Sequence, residues 1–220
     1  MRIAVRPHRR ERLCFDPVTD AGRYVYVRNG ESVSVDEHWD REHATPDDVF
    51  VRSWRATPSG TSIGVEARCN KGLAMTAVIE WESNGPIKRR TVRYAVLRQT
   101  LVWSLDGANH VMAVPVGALL SPLLRVFQGP VIAAVADIGS QAVIVPFLHD
   151  PTDAERLLTP TVELRTAQIV EAGDDGVDMY TYESSVYDRD ARFWIDRSTR
   201  HMLRYRFRQG SDQWEIAAAD

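Results

Sequence analysis

The sequence predicts one all-β domain with minor α content: a large, strongly curved antiparallel meander or half-barrel, with one short helix covering a cavity. Three observations predict it. Short segments alternate between apolar and polar residues. Gly, Asn, Asp and Pro punctuate them at close intervals. Only one stretch, 116–128, shows strong helical spacing.

The elements follow in order. Residues 23–28 (RYVYVR) alternate with period two, Asn29-Gly30 turns the chain, and 31–37 alternate again. Asn-Gly between two such runs is a strong hairpin signal, because both residues tolerate positive φ. Strands are expected at 49–57, 62–69, 73–82, 87–98, 101–105 and 110–114, each ended by turn residues. Strands joined by so few residues become antiparallel neighbours. The rhythm breaks at 116–128 (VGALLSPLLRVFQ), where Leu119, Leu120, Leu123, Leu124 and Phe127 fall at helical spacing. Pro122 suits a helix first turn, and Gly129-Pro130 would end the helix. A further turn of helix fits 152–158. Strands then resume at 131–137, 142–148, 162–171, 177–187, 192–195, 202–208 and 213–217. This is one domain, 1–220, with sub-halves 1–115 and 130–220 joined by 116–128.

The totals suit such a domain. The chain has 220 residues, 44% hydrophobic and 26% charged, enough to bury a core without disulfides or metal. A net charge of −3 and a pI near 6.1 argue against a nucleic-acid partner. The basic cluster Arg2, Arg6, His8, Arg9, Arg10 and Arg12 reads as a solvated leader. Cys14 and Cys69 are too few for a disulfide framework and read as free thiols in a reducing compartment. No 18-residue apolar run and no secretory h-region occurs, so the expectation is a cytoplasmic protein without a membrane span.

The strand faces carry the functional expectation. Leu203, Tyr205 and Phe207 share one face, and Arg204, Arg206 and Arg208 the other. By contrast, 131–137 and 142–148 are apolar on both faces and need cover on both. A large sheet with few helices must curl, and spare apolar surface on its inner face suits an apolar ligand.

Thr181-Tyr182-Glu183, Phe193-Trp194-Ile195-Asp196, Arg197-Ser198-Thr199-Arg200 and the strand Leu203–Phe207 together form a strand, an Asp-x-x-Thr turn and a strand. This resembles bacterial lipoprotein-carrier-like half-barrel proteins and related domains of unknown function, over 162–216. The resemblance implies a half-barrel wrapped over a cavity for acyl chains, with Leu119-Leu120-Ser121 at the place of a short apolar helix. The chain departs from it in lacking a signal peptide and a lipid-attachment context around Cys14.

Polar clusters give weaker signals. His38 and His43 lie five apart, a spacing that suits a loop rather than a strand or helix pair of metal ligands. They read as a solvated post-strand loop, and no metal or cofactor is implied. Asp106 and His110 flank a tight turn without a nucleophile. His149, Asp150, Asp153 and Glu155 read as an acidic loop. The candidate ligand-binding residues are Tyr180, Tyr182, Tyr205, Trp81 and Trp103, with Arg89 and Arg93 as anchors for an anionic head group.

The expected function is binding of an apolar or amphipathic small molecule (acyl, polyketide or isoprenoid-like) in a β-cavity. One alternative is a cyclase or isomerase using the same cavity; it names no catalytic residue. A second is an interaction module that pairs through sheet edges, for instance in a homodimer.

Overall fold

The computed structural model describes residues 19–45, 47–58, 60–82, 89–145, 159–183 and 190–219. Eight strands open the chain: β1 (Thr19–Arg28), β2 (Glu31–His43), β3 (Asp48–Ala56), β4 (Ser62–Asn70), β5 (Leu73–Glu82), β6 (Arg89–Leu97), β7 (Thr100–Leu105) and β8 (Ala108–Ala113). A two-residue strand β9 (Leu119–Leu120), a 3-10 turn (Arg125–Phe127) and helix α1 (Gln128–Ile138) follow. The chain then adds β10 (Ser140–Val145), β11 (Thr161–Ala172), β12 (Val177–Glu183), β13 (Arg192–Asp196), β14 (Met202–Gln209) and β15 (Asp212–Ala219).

Turn chemistry sets most of the connections. Asn29 and Gly30 both adopt positive φ, 53° and 84°, as the β1–β2 hairpin requires. Asp196 builds the β13–β14 turn: its Oδ1 accepts from the backbone N–H groups of Ser198 (3.0 Å) and Thr199 (2.7 Å) and from both hydroxyls. Those bonds favour the ionised form and hold the Asp196 carboxyl down at about 2.

The sheet closes on itself. Its order is β4-β3-β2-β1-β15-β14-β13-β12-β11-β10-β9-β5, and β5 pairs back onto β4. The expected open half-barrel is therefore a closed ring of twelve strands, with β6, β7 and β8 continuing outward from β5 as a flap. The pairing of first strand with last, Arg23 to Arg28 against Ala219 to Trp214, removes an edge that a half-barrel would leave open. The seam at β9 is slight: one residue pair to β5 and two to β10. The β9–β10 contact is parallel and the ring's other neighbours are antiparallel. A regular cylinder needs an even number of direction reversals, and this ring has an odd number. The two-residue strand β9, held by so few pairs, is the wall's weakest link.

The helix is also displaced from its expected place. Within 116–128 the helical part is a 3-10 turn and the first residue of α1, beside the short strand β9, while 131–137, expected as a two-sided buried strand, lies in α1. A run apolar on all sides suits a buried helix as well as a buried strand. Pro130 sits in the first turn, where its missing N–H costs nothing. The expected loop at 36–43 is strand, since β2 runs on to His43.

Twelve strands enclose a lumen wider than wall side chains alone can fill. The chain itself fills part of it. Leu124, Val126, Phe127, Ile132 and Val135 are buried, and the Arg125 backbone bonds a lumen-facing side chain of β2. At the lower end, where the β4–β5 and β13–β14 turns lie, Pro130 packs on Gly72 and Gly129 fits under the Arg200–Met202 backbone. A Cβ on Gly129 would stand 2.3 Å from the Arg200 carbonyl oxygen, so this seat needs glycine. The outer wall carries ion pairs, including Arg52–Asp40 (2.7 Å) and Arg206–Glu215 (2.6 Å). No helix among the described residues is long and apolar enough to cross a membrane.

Candidate functional site

The inner wall brings aromatic rings from four strands into one continuous ladder. Alternation points Tyr180 and Tyr182 of β12, Phe193 of β13, Tyr205 and Phe207 of β14, and Trp214 of β15 to the inside. Tyr182 meets Phe193 edge-on at 5.9 Å, and Phe193 stacks on Tyr205 at 5.5 Å. Tyr205 stacks on Phe207 at 5.3 Å and Phe207 on Trp214 at 6.3 Å. These spacings lie in the favourable range for aromatic pairs.

Three arginines face the ladder. Arg165 lies over Tyr182 at 5.3 Å, Arg125 over Tyr205 at 5.2 Å and Arg28 over Trp214 at 5.7 Å. The ladder thus has two ends. One end of it, Tyr182, Phe193 and Tyr205, is buried; at the other, Phe207 and Trp214 are partly exposed, beside a solvent-facing Arg28 that pairs with Asp212 at 4.0 Å. Phe207 and Trp214 lie beside the Asn29-Gly30 and Gly210-Ser211 turns, which define the upper mouth. The Trp214 Nε1 donor has no hydrogen-bond partner among the described residues.

Beneath the mouth lies a buried polar knot. The Glu37 carboxylate is fully buried; it accepts a hydrogen bond from the Tyr26 hydroxyl and another from the Arg125 backbone N–H at 2.9 Å. It thereby ties the 3-10 turn to β2. Burial pushes the Tyr26 hydroxyl up to about 12 and raises Tyr24 well above the usual tyrosine range. Tyr24 donates to the Met202 carbonyl at 3.1 Å. Lower still, Arg41 donates to Nδ1 of His201 at 2.9 Å and lies over the Trp39 ring. Burial first, then the Arg41 charge, lowers the His201 imidazole to about 4, so it is neutral at pH 7.

Of the residues expected to bind ligand, Tyr180, Tyr182 and Tyr205 are brought together through Phe193. Trp81 is buried at the upper end of β5, across the barrel. Trp103 lies on the flap, stacked on His110 at 5.0 Å. Arg89 and Arg93 lie on the outer face and do not join the ladder; Arg89 pairs there with Glu80 at 2.9 Å. Asp106 bonds Arg90 and the Thr91 N–H rather than His110. His38 and His43 point to opposite faces of β2, and among the described residues no cluster of His, Cys, Asp or Glu has metal-binding form. The basic leader, Cys14, the 152–158 turn and the His149 cluster lie outside the described residues. Arg28, Arg125 and Glu37 were not legible as site residues, because their roles depend on ring closure and on the inserted turn.

Two open recesses mark the outside. One, of about 350 Å³, is bounded by Ala21, Gly22, Arg23, His38, Trp39, Asp40 and Trp54. The other, of about 360 Å³, lies by the β11–β12 turn and Trp194.

No family model matches the chain, and no curated protein does. A solved structure is similar over nearly the whole length. It is a beta-barrel-like protein of a domain of unknown function, DUF1849, from Brucella abortus. The two share 9% identity with a TM-score of 0.45, over 93% of this chain and 96% of that one. The lipoprotein-carrier resemblance gains no support from these comparisons.

Proposed function

We propose that the barrel binds an amphipathic small molecule, acyl, polyketide or isoprenoid-like, at its upper mouth. The carrying observation is the ladder's exposure gradient: a packed aromatic stack ends in two part-exposed rings with a solvent-facing guanidinium above them. Phe207 and Trp214 supply a flat apolar surface that gains by being covered. Arg28, held only by a long, exposed pair with Asp212 at 4.0 Å, supplies a charge-assisted partner for a carboxylate, sulfonate or phosphate head. The lower lumen is already occupied by the chain, which favours a seat at the mouth.

The test is fluorescence titration with 1-anilinonaphthalene-8-sulfonate, an aromatic anion of this amphipathic type. The folded protein binds it saturably, and Trp214→Ala weakens it by about tenfold, as loss of one stacking partner predicts. Arg28→Glu weakens it as well. Equal affinity in wild type and both variants would refute the mouth as the seat.

A second reading attaches to the flap. Among the described residues β8 pairs only with β7, and Ala108–Ala113 holds no Asp, Glu, Lys or Arg to discourage strand addition. Such an edge favours pairing with another chain. If Val111→Lys leaves the size-exclusion profile unchanged at high concentration, self-pairing at this edge is excluded.

A further inference from the structure

The outer-wall recess beside β1, β2 and β3 has the composition of a ligand platform, and nothing in the ladder accounts for it. Trp54 points outward from β3 and is 46% exposed, a costly position for an indole. It is held flat: His38, its cross-strand partner, stacks on it at 5.0 Å with only 15° between the planes. His38 is in turn fixed by the Asp36 carboxylate. On the other side the strand partner of Trp54 is Gly64, which has open space where a side chain would stand. One indole face is thus braced by imidazole, and no side chain shields the ring from the β4 side.

The rim supplies both kinds of hydrogen-bonding group. Asp40 accepts, and Arg23 and His38 donate; Asp36 and Arg52 stand behind them, bonded to His38 and Asp40. The carboxylates are already engaged: Asp40 pairs with Arg52 at 2.7 Å, and Asp36 is hydrogen-bonded to His38. A strongly charged ligand would have to break those pairs. A neutral polyol meets them as they stand, since each hydroxyl both donates and accepts. The recess of about 350 Å³ lies at the small end of the ~300–1,000 Å³ range for small-molecule sites, room for one or two sugar rings. Its floor is the backbone of Ala21-Gly22 and Trp39, so nothing bulky rises from it.

We infer that Trp54, braced by His38 and rimmed by Asp40 and Arg23, is a second binding site, for a neutral saccharide whose ring lies flat on the indole. The site lies outside the barrel and does not depend on the mouth.

Isothermal titration with cellohexaose, N-acetylated chitohexaose, xylohexaose and maltohexaose tests it. At least one binds. Trp54→Ala weakens it by about tenfold or more, whereas Trp54→Phe, which keeps a flat ring, stays within about fivefold. Trp54 is an exposed position, so both variants fold, and circular dichroism checks this. Binding of 1-anilinonaphthalene-8-sulfonate is unchanged in both, which separates this site from the mouth. No heat with any of the four sugars, or equal affinity in Trp54→Ala, would overturn the assignment.

Discussion

The two ends of the aromatic ladder are built from the same kinds of residue and do different work. At the buried end Phe193 sits between Tyr182 and Tyr205 with no exposed surface. At the exposed end Phe207 and Trp214 stack with similar spacing but keep one side toward the mouth. The difference comes from what lies opposite. The buried rungs face the inserted 3-10 turn, with Arg125 over Tyr205 and its backbone tied to Glu37. The exposed rungs face the mouth. Stability should therefore concentrate in the buried rungs and ligand sensitivity in the exposed ones.

The largest expected effect tests that division. Phe193→Ala should cost about 3–5 kcal/mol in urea unfolding, the usual range for a buried phenylalanine. Phe207→Ala, at a part-exposed rung, should cost less than half as much while weakening ligand binding. Equal costs at the two positions would dissolve the distinction.

Next comes the tie that seats the inserted turn. Glu37→Gln keeps the size but removes the charge from the Tyr26 and Arg125 bonds. The expected loss is about 1–3 kcal/mol, measured by denaturant midpoint. Hydrogen exchange should also rise at 121–138 ahead of β1 to β4.

Acid should loosen the lower lumen in a defined window. The native His201 imidazole stays neutral down to about 4, while an unfolded histidine protonates near ~6.5. Between those values the unfolded chain binds more protons, so stability is full above ~6.5 and falls as the pH drops toward 4. Asp196, held at about 2, adds a second loss only as the pH falls below the ordinary carboxylate range. Urea midpoints at pH 7, 5.5 and 4.5 measure the first window. His201→Asn should flatten the slope there, and an unchanged slope would remove His201 as its source.

The smallest effect belongs to the outer wall. Arg89→Ala removes an exposed ion pair with Glu80 and should move stability by less than about 0.5 kcal/mol. Anion binding at the mouth should not change, although Arg89 has the residue type of a head-group anchor.

Local signals made most of this fold legible. The Asn29-Gly30 turn, the Asp196 turn and the period-two runs each carry their own geometry, and strands followed. Tyr180, Tyr182 and Tyr205 were legible as a set because they alternate within strands. Three features were not local. Ring closure rests on Arg23–Arg28 meeting Trp214–Ala219, contacts between the two ends of the described chain. The helix at Gln128–Ile138 reads as a strand because a run apolar on every side has no useful period. The β13–β14 register shift brings Met202, not Leu203, opposite Ile195, so Met202 is fully buried while Leu203 is partly exposed. Arg125 and Glu37 meet across 88 positions, and only the folded chain could pair them.

The tryptophans offer the most direct test of the claim that the mouth, and not the filled lower lumen, takes the ligand. Six are spread through the molecule, with Trp214 at the mouth, Trp39 in the lower lumen and Trp54 and Trp194 on the outer wall. Fluorine NMR of 5-fluorotryptophan-labelled protein, assigned by single Trp→Phe variants, resolves them during titration with 1-anilinonaphthalene-8-sulfonate. The Trp214 resonance should shift saturably while Trp39 stays in place. A shift at Trp39 with Trp214 unmoved would contradict it.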